Sequence, residues 1–207
     1  SVVRREGSMA QFPTAAVRET QQSYLRRFLV LTSGYVIASL ACHALMGGSG
    51  LLPMVWVPTG VGVAALTLWG LRYWPAVLVS VVVSRFFLGD SLTVYLSAGI
   101  GECLACVSGA FFFRRTTYFG AAFEIEFRAL YVVVFPALVS MLFGAFVGVG
   151  WRYWYDAVPW ATFPQFLMVT WTGYILGVLI WAPLLLSAAN EGWRSWRPHI
   201  SPFEFLG

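Results

Sequence analysis

The chain has 207 residues, of which 59% are hydrophobic and only 11% charged, at a mean hydropathy of +0.74. A soluble domain carries about 25% charged residues, so this balance excludes an ordinary water-soluble globule and points to a chain whose surface is largely lipid. The net charge of +4 comes from 13 arginines and no lysine; these fall in short clusters between apolar runs rather than in a stripe with exposed aromatics, which argues against a nucleic-acid partner.

The opening stretch, residues 1–27, is polar and has no apolar run of signal-peptide type, so it is expected to be a cytoplasmic segment. Six apolar runs follow, at 28–46, 51–70, 74–88, 92–113, 129–150 and 163–188, and residues 189–207 form a polar tail. The sequence therefore predicts an all-α polytopic membrane protein of about six transmembrane helices. The third run is short for a perpendicular span.

Arginine placement orients these spans. With the N-terminus inside, Arg4, Arg5, Arg18, Arg26, Arg27, Arg72, Arg114, Arg115, Arg128, Arg194 and Arg197 all lie on the cytoplasmic side, leaving Arg85 and Arg152 toward the outside. That asymmetry predicts cytoplasmic N- and C-termini. Trp69, Tyr73 and Trp74 flank the inner turn, and GWRYWYDAVPW at 150–160 reads as an outer interfacial anchor or short interfacial helix ended by Pro159.

Within the spans, chemistry-bearing residues are few. Pro58 lies inside the second apolar run beside Thr59, Gly60 and Gly62, where it predicts a kink or a local break. Glu102 is costly in lipid and must face the bundle; Arg85 is its expected partner, pinning spans three and four, in a structural or a ligand-sensing role. His43 is expected to line an outward pocket, with Trp56, Trp171 and Arg152 as further ligand or signal-coupling candidates. Gly144 with Gly148, and Gly173 with Gly177, are small residues spaced by four and mark helix contact faces within or between subunits, as does Gly60. Cys42, Cys103 and Cys106 with His43 lack the spacing of a metal site, so no metal and no cofactor is expected. Phosphate-loop and hydrolase motifs are absent from the sequence, so this segment is not expected to be catalytic.

WVPTG followed by LRYWP, then GECLACVSG, and finally WTGYILGVLIWAPLLL resemble, in order and spacing, the MASE1 family of membrane-associated sensory domains of bacterial signalling proteins. The resemblance spans 28–188 and marks Trp56, Pro58, Gly60, Arg72, Trp74, Pro75, Glu102, Trp171, Gly173, Gly177 and Pro183. Two positions depart from the family pattern, which often has Asn where Arg85 stands and usually Asp where Tyr174 stands. The resemblance implies a bacterial inner-membrane input domain joined to a histidine kinase, diguanylate cyclase or phosphodiesterase output. It also implies a homodimer, a small-molecule ligand of unspecified kind, and Pro183 as a hinge near the exit of span six. The stretch EGWRSWRPHISPFEFLG is too short for such an output, so the module is expected outside this sequence. The alternative expectation is a small-molecule transporter or substrate-binding membrane component, suggested by Pro58, Glu102 and Arg85 within spans.

Overall fold

The computed structural model describes residues 21–46, 55–119, 126–155 and 159–191. They form six α-helices: α1 Gln21–Met46, α2 Val57–Trp69, α3 Trp74–Leu88, α4 Leu92–Phe119, α5 Glu126–Tyr155 and α6 Phe163–Glu191. Among the described residues four stretches are long and apolar enough to cross a membrane, Gln21–Leu45, Leu71–Leu88, Leu92–Arg114 and Trp160–Ala189. Most of the expected polar segment 1–27 and of the tail 189–207 lies outside the described residues. Gln21 to Arg27 are helical, and Tyr24 explains why: its ring stacks on Tyr73 at 4.7 Å, so this turn has a packing partner.

Helix α2 differs from the rest. Its 13 residues span about 20 Å at 1.5 Å per residue, too short for a hydrocarbon core of about 30 Å. Pro58, Thr59, Gly60, Gly62, Val63, Ala64, Ala65 and Leu66 are all buried, so α2 is apolar and enclosed on every side, as a central helix must be. It packs against α1, α4 and α6, while α1–α3, α3–α4, α4–α5 and α5–α6 contacts close the bundle around it.

Pro58 corrects the expected kink or break. The helix starts at Val57 and Pro58 sits in its first turn, where the missing N–H has no intrahelical acceptor to lose and the fixed φ suits initiation. At the other end Gly70 takes φ +109°, and Arg114 reaches the α2 C-terminal carbonyls of Leu66 and Thr67 at 3.5 and 3.4 Å. A cation at that position meets the negative end of the helix dipole. Gly89 closes α3 in the left-handed region, its N–H shared between the carbonyls of Arg85 and Phe86.

Two glycine seams bring backbones together. On α4 and α5, a Cβ on Gly101 would lie 2.7 Å from the Gly148 Cα and 2.8 Å from the Gly144 carbonyl oxygen. On α2 and α6, a Cβ on Gly60 would collide with the Gly177 carbonyl, and one on Gly177 with the Trp56 carbonyl. The glycines expected as contact faces thus serve contacts within the chain. The expected interfacial helix at 150–160 is instead the last turn of α5, running to Tyr155, followed after the undescribed 156–158 by one 3-10 turn, Trp160–Thr162.

Replacing Gly101 by valine is expected to destabilise the purified protein by at least about 2 kcal/mol, because backbone faces it and cannot move aside as a side chain can. Gly34→Ala, where nothing lies within 4 Å of the added carbon, is expected to be neutral or stabilising by up to about 1 kcal/mol through helix propensity. Unfolding of both variants in detergent, monitored by tryptophan fluorescence, checks the contrast.

Candidate functional site

A cavity of about 160 Å³ opens at the end of the bundle where α1, α3 and α5 finish and α2, α4 and α6 begin. His43, Trp56, Arg85, Glu102 and Arg152 all line it, together with Gly148 and Gly173. Residues far apart in sequence meet here because the spans alternate in direction. Helix α2 begins beside Gly173, ten residues into α6, which sets the cavity floor well inside the bundle while α4, α5 and α6 rise around it.

The floor is a charged cluster. Glu102 is 2% exposed and accepts a hydrogen bond from the Tyr35 hydroxyl. Arg85 places Nη2 3.8 Å from Glu102 and Nη1 3.3 Å from Asp90, so it is held between two carboxylates. An isolated carboxylate at this depth would be prohibitive; one with a hydroxyl donor and a guanidinium beside it is tolerated. The spacing between Arg85 and Glu102 joins α3 to α4, the pair expected from the sequence, and Asp90 adds a second acceptor from the α3–α4 turn.

His43 and Trp56 complete the floor. His43 Nδ1 lies 2.9 Å from the Ser39 carbonyl, which fixes the proton on Nδ1 in the neutral ring and turns the Nε2 lone pair toward Arg85 Nη1 at 3.4 Å. The His43 ring meets Trp56 edge-on at 5.2 Å and 83°. Arg85 lies over the same indole, its Cζ 5.7 Å from the ring centroid, within cation–π range. The indole lies on the Glu102 side, yet its Nε1 has no partner at hydrogen-bonding geometry.

The Trp56 backbone faces the other way. Its N–H donates to the Gly173 carbonyl at 2.9 Å, and its own carbonyl rests where a Cβ on Gly177 would be. One residue therefore presents its ring to the cavity and its peptide to α6. At the mouth, Arg152 lies 6.0 Å from the Phe166 ring centroid, and the Tyr153 hydroxyl is 2.7 Å from Thr162 Oγ1, holding the end of α5 to the start of α6.

Two sequence candidates stand elsewhere. Trp171 does not line the cavity: its Nε1 donates to the Leu138 carbonyl at 3.0 Å, tying α6 to α5. Pro58 is buried at the start of α2 behind Trp56. Pro183 is inside α6, where it has no N–H for the carbonyl of Leu179. Sequence reasoning missed Tyr35, Asp90, Tyr153 and Tyr174. Of these, Tyr35 was accessible as a polar group on the face of α1 that carries Ser39 and His43 at spacings of four. The three cysteines are buried, each with its sulfur near a backbone carbonyl.

Arg85→Met leaves Glu102 buried without its cation and is expected to cost on the order of 3–5 kcal/mol. Asp90→Asn leaves Arg85 still beside Glu102 at a position one-third exposed, and is expected to cost within about 1 kcal/mol. Equilibrium unfolding of the two variants compares them directly.

No curated protein and no solved structure matches this chain. The family model for MASE1 matches residues 25–203. That match covers all six helices and every residue of the cavity lining, and the chain belongs to the MASE1 family of membrane-associated sensory domains.

Proposed function

We propose that the chain is a six-span input domain of the bacterial inner membrane, with both termini in the cytoplasm. A stimulus entering the outward-facing cavity is relayed through α6 to a histidine kinase, diguanylate cyclase or phosphodiesterase module, in a homodimer. The observation that carries this reading is the double engagement of Trp56: its ring walls the cavity while its N–H is bonded to Gly173 of α6. A change in the cavity that moves the indole acts on α6, the helix that leads to the C-terminal side. Placing Arg26, Arg27, Arg72 and Arg114 at the end away from the cavity agrees with the positive-inside rule.

Sensing is favoured over transport by what lies below the cavity. Leu31, Val63, Leu66 and Met141 are each at most 2% exposed, so the space between the cavity floor and the opposite end is filled. A transporter needs access from alternate sides of one site; this packing supports a one-sided pocket.

The test joins the chain to a diguanylate cyclase reporter and measures cyclic dinucleotide formation in cells. Gly177→Val, which displaces the Trp56 carbonyl from α6, is expected to change basal output at least about fivefold in either direction, a bias of about 1 kcal/mol. A folded variant with unchanged output would remove the coupling route. Cysteine labelling adds the orientation: Arg152→Cys is expected to react with an impermeant reagent from outside, and Arg72→Cys only after the membrane is opened.

A further inference from the structure

We propose that the cavity takes a small organic carboxylate with a compact apolar body. This assignment rests on reading the cavity as the stimulus site and adds the chemistry of what enters it. Three independent features of the lining converge on it.

The first is the state of the donors. Arg85 makes its contacts to Asp90, His43 and Glu102 at 3.3, 3.4 and 3.8 Å, all longer than the 2.7–2.9 Å of a closed charge-assisted hydrogen bond. Its Nε is buried and meets no acceptor, and the same holds for Nε1 of Trp56, a residue 5% exposed. Two unpaired donors on adjoining side chains of one cavity call for an acceptor-rich group with two oxygens. A carboxylate supplies that geometry to a guanidinium fork.

Charge is the second. The lining holds two guanidinium groups, Arg85 and Arg152, against the one carboxylate of Glu102, and Glu102 already receives Tyr35 and Arg85. A ligand bearing one negative charge balances the lining. A cationic ligand would have to take Glu102 from both of its partners.

Size and surface are the third. A cavity of about 150 Å³ lined by apolar side chains holds a single benzene ring, and the volume here is about 160 Å³. Its wall above the charged floor is formed by residues such as Val94, Val149 and Val169. Drug-sized ligands use pockets of about 300 Å³ or more, so the occupant is a small body with one polar end directed at the floor.

Benzoate, benzamide and benzylamine place charges of minus one, zero and plus one on the same ring and serve as probes. They are titrated against the purified chain in lipid nanodiscs, with thermal unfolding and tryptophan fluorescence as readouts. Benzoate is expected to stabilise the wild type with an apparent affinity at least about tenfold above either congener, the range for a hydrogen bond to a charged group. Trp56→Phe keeps a ring under Arg85 but removes the donor, and Arg85→Lys keeps the charge but removes Nε and the fork; each is expected to weaken benzoate about tenfold. The proposal is overturned if benzamide or benzylamine binds as well as benzoate, if both variants bind benzoate like the wild type, or if benzoate produces no shift. Thr170→Trp, which fills the cavity, separates this from the sensory reading. If it alters reporter output while benzoate fails, only the ligand class falls. If it leaves output unchanged while benzoate binds, the stimulus role falls and the carboxylate site stands.

Discussion

A helix of 13 residues cannot expose its first backbone groups to lipid, and that constraint organises this protein. The peptide entering α2 must find its hydrogen-bond partners inside the bundle, because hydrocarbon supplies none. Trp56 solves this by donating its N–H to the Gly173 carbonyl of α6. Such an approach demands that the facing surface carry no side chain, which is why glycine stands at 60 and 177 where the backbones touch. Pro58 follows from the same requirement: at the start of a recessed helix it removes a donor that would otherwise need satisfying.

Once α2 starts below the level of α4, α5 and α6, the space above its first residue is an open recess, and the side chains bordering it are those at the ends of α1 and α3. His43 and Arg85 are placed there by their positions three residues from the ends of their helices. Glu102, ten residues into α4, faces the same recess from the side. The resulting cluster costs stability through desolvation and regains it only through several mutual contacts. Removing α2's short length would fill the recess and leave the cluster without a cavity to line.

Composition, the six apolar runs and the glycine spacings made the helical layout legible, and the GECLACVSG and WTGYILG motifs marked positions that do meet α2. The arginine–glutamate pair was legible too, because an acid and a base on consecutive spans have few other partners. What the sequence concealed was depth. A proline and two glycines inside a 20-residue apolar run look the same whether they kink a long helix or start a short one, since the choice depends on whether α6 offers an acceptor at Gly173. Tyr35 and Asp90 were hidden for a related reason: a tyrosine in an apolar helix and an aspartate in a turn are commonplace until a buried carboxylate or guanidinium lies opposite.

The magnitude of the coupling that this architecture can support follows from its parts. A carboxylate closing on Arg85 and Trp56 gains on the order of 1.5–3 kcal/mol per charged hydrogen bond. A full switch from one part in a hundred to ninety-nine needs about 5.5 kcal/mol of differential binding. One such contact per chain therefore biases a two-state bundle by roughly tenfold to a hundredfold without saturating it, and a second chain moving in concert doubles the available free energy to the size a complete switch requires. The clamp between Trp56 and α6 contributes no energy of its own to this balance. Its role is geometric: with the peptide fixed to Gly173 and a glycine at 177, the indole and α6 cannot move independently, so a bias applied in the cavity is delivered to the helix that leaves it.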